Sequence, residues 1–204
     1  MGCKYSCENS SEGEVLPLPI SSFEQKVLEE TWQVVMENKD HFGNTLFYRL
    51  FTLEPSLQGL FPEYHDIQDI NELNGSTRPF DINSHVGKIM RGLSEGLEAK
   101  NDVGVIIEKM EALGARHTQR SLRENHLNAL QQALNATLEE VLHEQWSVDV
   151  ASAWWAFISF VLKTMKTGLN KTLSEIQAKD EVTPSGHSVT AFSKNGNKVG
   201  PIVE

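Results

Sequence analysis

The sequence predicts an all-α domain of about 150 residues flanked by two flexible segments, within a chain of 204 residues. Three observations carry that reading. Apolar residues recur at helical spacing from about Ser21 to Leu173, no segment alternates in the period-two manner of a strand, and proline and glycine fall between the periodic runs.

The opening segment, residues 1–20, is polar at its start, ends with Pro17 and Pro19 close together, and shows no helical period, so it reads as a flexible tail. Ser21 or Ser22 with Glu24 or Gln25 then offers a helix start, followed by Phe23, Val27, Leu28, Val34 and Val35. A second helix over Asn44 to Leu53 stops at Glu54-Pro55, because proline restricts its predecessor and cannot continue the hydrogen-bond ladder. The stretch from Phe61 to Pro79 is irregular, broken by Asn74-Gly75 and Arg78-Pro79. Asp81 or Asn83 can cap a third helix carrying Ile82, Val86, Ile89, Met90, Leu93 and Leu97. Three more helices are expected at Val103 to about Gln119, Glu124 to His143, and Ser147 to about Leu173, with Trp146, Trp154, Trp155, Phe157 and Phe160 supplying bulk. From about Ser174 to residue 204 the large apolar residues thin out, and Pro184, Gly186, Gly196, Gly200 and Pro201 mark a second flexible tail.

Composition narrows the functions this domain can have. Lys plus Arg total 18 against 28 Asp plus Glu, a net charge of −10, which repels phosphate and argues against nucleic-acid binding. The only cysteines, Cys3 and Cys7, lie in the opening tail, so the domain has no thiolate for a zinc site, an iron–sulfur cluster or a covalent haem link. No run approaches the ~18 consecutive apolar residues of a membrane-spanning helix, and the start lacks the apolar core of a secretory signal.

Of seven histidines, two occupy unusual faces. His117 ends the series Ile106, Met110, Leu113, His117, whose spacing of four, three and four places three apolar side chains and then an imidazole on one helical stripe. His85 stands one turn before Ile89 at the edge of the Val86, Ile89, Leu93 stripe. An imidazole beside apolar walls suits a haem iron, although periodicity alone leaves haem one option among several.

From about Ser22 to Leu173 the chain resembles a globin. The segment FYRLFTLEPSLQGLF is similar to the second globin helix and its following corner, with Pro55 at the corner and Phe61 at the position of the phenylalanine that packs on the porphyrin. Trp32 matches the first-helix tryptophan, and Phe47 matches a residue lining the distal pocket. INSHVGKIM resembles the distal helix, with His85 as distal histidine and Ile89 as an apolar gate. MEALGARHTQRSL resembles the proximal helix, with Leu113 beneath the haem and His117 as the proximal iron ligand. The resemblance thus implies a three-on-three helical sandwich around haem b (iron protoporphyrin IX), with Lys88 and Arg116 or Arg120 near the propionates. The His85–His117 interval is longer than in muscle globins, a feature shared with neuroglobin-like and globin X-like members. In those members the distal histidine itself binds iron when no gas is present.

Met1-Gly2-Cys3-Lys4-Tyr5-Ser6 fits the pattern for N-myristoylation at Gly2. One myristoyl chain holds a protein to a bilayer only marginally, and the acidic chain supplies no polybasic support, so palmitoylation of Cys3 and Cys7 is the expected second signal. The expected location is the cytoplasmic face of the plasma membrane. Two functions follow from the resemblance. One is redox, electron-transfer or nitrite and nitric oxide chemistry with reversible O2 and CO binding, served by a redox partner the sequence does not identify. The other is oxygen storage or gas sensing without turnover.

Overall fold

The computed structural model describes residues 20–74, 78–99 and 102–182, and no strand occurs among them. Six α-helices carry the fold: α1 (Ser22–Glu37), α2 (Lys39–Leu53), α3 (His85–Glu98), α4 (Val103–His117), α5 (Glu124–Leu142) and α6 (Val148–Val182). Short 3-10 turns at Pro55–Leu60, Pro62–Tyr64 and Ile70–Leu73 bridge α2 to α3.

The helix boundaries follow from local chemistry. At the start of α1 the Ser21 hydroxyl accepts the Glu24 N–H, while the Glu24 carboxylate accepts the Ser21 N–H, a reciprocal capping box. Asn38 interrupts the ladder between α1 and α2, so α2 begins at Lys39, earlier than the expected Asn44. The cap of α3 is Ser84, whose hydroxyl accepts the Gly87 N–H at 3.2 Å. Neither Asp81 nor Asn83 takes that place; Asp81 accepts the Asn83 N–H and closes the preceding turn. Ile82 therefore precedes the helix and is exposed. Asp102 caps α4 through the Val105 N–H.

The core is built from α1, α2, α5 and α6 around Trp32, Phe42, Leu46, Phe47, Trp154 and Phe157, all buried. Two indole N–H groups tie helices together as well as filling space. Trp154 Nε1 donates to Thr31 Oγ1 at 3.0 Å, joining α6 to α1, and Trp32 Nε1 donates to Ser94 Oγ at 2.9 Å, joining α1 to α3. Trp155, expected among the bulky core residues, is instead 54% exposed: one residue turns the helix by about 100°, which carries it off the buried face that holds Trp154. The final helix runs on past the expected end near Leu173. The residues that follow, including Glu175, Gln177, Ala178 and Lys179, are strong helix formers, so propensity continues the helix after apolar periodicity has stopped. By length and mean hydropathy α6 could cross a bilayer, yet one face of it, with Ala153, Trp154, Phe157, Ile158 and Leu169, is buried in this core.

The pair α4 and α6 cross with backbone on backbone. A Cβ at Gly114 would collide with the Met165 carbonyl oxygen, and one at Gly168 would collide with the carbonyl of Glu111. Only glycine permits this approach. It places the last turn of α4, and with it His117, against the longest helix of the domain.

Candidate functional site

His117 closes α4, and His85 opens α3. Their ring centres lie 6.2 Å apart, with the planes at 72°. Phe61 stands 5.1 Å and Phe47 6.5 Å from the His85 ring, and Tyr64 stacks on Phe47 at 4.6 Å. Phe51 joins this aromatic wall at 5.3 Å from Phe47. Ile89 and Leu113 are partly buried against the same core. Thus Phe47, Phe61, His85 and His117, spread over 70 residues of the chain, meet in one place.

The two imidazoles differ in what surrounds them. On His117, Nδ1 lies 2.8 Å from the Leu113 carbonyl oxygen. A carbonyl can only accept, so Nδ1 carries the proton and Nε2 keeps a free lone pair. His85 is held well below the ordinary imidazole range, at about 4, first by burial and then by the neighbouring His117, while Glu63 opposes the shift. At neutral pH it is therefore an uncharged donor as well. Tyr64 is pushed up to about 12, chiefly by burial, so its hydroxyl stays protonated beside them.

Haem is the group implied by the resemblance, and these residues fit it. Two metal–nitrogen bonds of about 2 Å, with about 1.1 Å from each nitrogen to its ring centre, sum to about 6.2 Å, the separation found here. Among the described residues no group of three or more His, Cys, Asp or Glu side chains is placed to hold a metal ion. Two histidines alone do not make a metal site, whereas a porphyrin brings its own four nitrogens and asks the protein only for axial ligands. Beside the histidines, a cavity of about 540 Å³ opens between α3 and α4. Its lining includes Leu113, Lys88 and Arg116, three of the residues expected to contact the cofactor, but neither imidazole. Lys88 and Arg116 both line it and make no hydrogen bond or ion pair among the described residues, so both can meet a carboxylate.

Four contributing residues escaped sequence reasoning. Glu63 accepts the His85 backbone N–H at 3.2 Å, across 22 residues of chain. Tyr64 completes the aromatic wall, and Gly114 with Gly168 seats the helix bearing His117. A glycine three residues before His117 was the one visible signal. Gly2, Cys3 and Cys7 lie outside the described residues.

The family model described as Globin matches residues 44–165. Cytoglobin-1 of Oryzias latipes is 23% identical over 149 residues, spanning 72% of this chain and 82% of that protein. Cytoglobin-2 of Danio rerio is 21% identical over 148 residues, spanning 72% and 81%. Among solved structures, a hexacoordinated haem protein from an anhydrobiotic tardigrade superposes with a TM-score of 0.64 at 14% identity, covering 75% of this chain and 97% of that one. A Drosophila melanogaster globin superposes with a TM-score of 0.61 at 20% identity, covering 72% and 94%.

Proposed function

This chain belongs to the globin family, and on that premise we propose that His117 and His85 are both axial ligands of its haem and that the protein is a membrane-tethered redox globin. Haem is the cofactor, supplying reversible binding of gases such as O2 and CO and one-electron chemistry at its iron. The observation that carries the two-ligand reading is the 6.2 Å between imidazole centres, the span of a single metal held from both sides. The tardigrade haem protein of similar fold is described as hexacoordinated, which supports the same reading.

The residues would divide the work as follows. His117, its tautomer set by the Leu113 carbonyl, presents Nε2 permanently. His85, neutral at physiological pH, would be the second protein ligand to the iron, and a gas would bind only in molecules whose His85 has detached. Phe47, Phe61 and Ile89 keep water from the pocket, Leu113 packs beneath it, and Lys88 and Arg116 hold the propionates at the open edge. Resting ligation from both sides suits electron transfer, or nitrite and nitric oxide chemistry once His85 moves, better than bulk oxygen storage.

The test of this reading is the visible spectrum of the ferrous protein without gas. Sharp split bands, marking low-spin iron, are expected; a broad band would mean that His85 does not bind. For the anchor, the support is the Met-Gly-Cys-Lys-Tyr-Ser start and the confinement of both thiols to it. In acylating cells, Gly2→Ala, or Cys3→Ser with Cys7→Ser, should move the protein from the membrane to the soluble fraction, because one remaining acyl chain binds only marginally. A wild-type protein found wholly in the soluble fraction would dismiss the anchor.

A further inference from the structure

We infer that Glu63 is the positioning residue of the His85 side chain, and that through it the loop between α2 and α3 sets how often the distal side of the site stands open. The inference rests on His85 being a ligand, as proposed above.

His85 is the first residue of its helix, and the first N–H groups of a helix have no partner within it. Ser84 satisfies the Gly87 N–H, and the His85 N–H is taken by a carboxylate oxygen of Glu63, from a segment 22 residues earlier. A carboxylate there also meets the positive end of the helix dipole. Glu63 is itself held in place. Arg78 donates to the Glu63 carbonyl at 3.3 Å and to the Asp66 carboxylate at 3.0 Å, and its guanidinium lies 5.7 Å over the Tyr64 ring. The Arg78 carbonyl in turn accepts from Asn44 of α2 at 3.1 Å. One polar chain therefore runs from α2 through Arg78 and Glu63 to the backbone of His85. Nothing comparable holds the His85 ring: among the described residues its nitrogens make no hydrogen bond, and the aromatic rings beside it are those of Phe47, Phe61 and His117.

A ring whose backbone sits at a fraying helix end is free to swing out when the end loosens. Removing the Glu63 carboxylate takes away the tether that resists this, and the competent fraction rises. The experiment uses the full-length, haem-loaded ferrous protein with carbon monoxide as probe, in a double-mutant cycle. Glu63→Ala is expected to raise the CO association rate about three- to tenfold in the wild-type background, and Glu63→Gln, which keeps an acceptor oxygen, to raise it less. In the His85→Leu background Glu63→Ala should change nothing, because there is no ligand left to position. An equal effect in both backgrounds means general loosening of the pocket and overturns the inference, as does no effect in the wild type. If His85→Leu alone leaves spectrum and rate unchanged, the two-ligand reading fails first. If Glu63→Ala does not fold, Glu63→Gln carries the same cycle.

Discussion

The two halves of the site are built on opposite principles. On the proximal side, His117 stands at the end of a helix whose backbone rests directly on α6, and its ring is fixed by the Leu113 carbonyl. On the distal side, His85 stands at the beginning of a helix, behind a loop of 3-10 turns, with one exposed carboxylate on its N–H. The first arrangement holds its imidazole through close packing of one helix on another. The second holds its imidazole by contacts that local motion can break. If both imidazoles bind iron as proposed, the difference would let one bond persist while the other opens.

The largest expected effect breaks the proximal half. His117→Ala should accelerate haem loss to an acceptor apoprotein by more than ~100-fold, since even outer partners of a metal-binding histidine contribute ~10–100-fold. Retention at the wild-type rate would remove His117 from the role proposed for it. The next breaks the distal half instead: His85→Leu should retain haem but tighten CO binding by as much as ~100-fold, the gain when an open fraction of about 1% becomes complete. The ferrous spectrum should become high-spin with it.

Acidity sharpens the comparison. The folded His85 titrates near 4, below its ordinary value of 6.5, so between those limits the unfolded chain binds the extra proton. Stability of the haem-free protein should therefore fall as pH is lowered through this window, by roughly 2 kcal/mol between pH 7 and pH 5. Urea unfolding at the two pH values should show the loss, and His85→Leu should remove that part of it. The smallest effect tests the seat of α4: Gly114→Ala should cost ~1–2 kcal/mol in the same assay, because α4 must shift away from Met165 to admit a methyl group. A neutral result would mean that the crossing is looser than its geometry.

Much of this was legible in the sequence because it depends on local pattern. The six helices, the stop before Pro55 and the apolar stripe leading to His117 are periodicities and breaks that a reader can count. The missed features depend on tertiary contact. Ser84 outcompeted Asp81 and Asn83 as a cap because Asp81 is used in the turn before it. Trp155 looks like core in composition and lies outside by angle. Glu63 is an ordinary acidic residue until the fold brings it to a helix start 22 residues away. The pair Gly114 and Gly168 carries meaning only once α4 and α6 are known to cross.

That crossing has a consequence for how the cofactor is captured. The contact is backbone to backbone, between α4 and α6 themselves, so it orders α4 through the protein's own packing. With His117 as the proposed ligand, a porphyrin would meet an imidazole already oriented, and little conformational entropy would remain to be lost on binding. Capture is then expected to proceed in order, first the preorganised proximal bond and afterwards the slower settling of the distal loop.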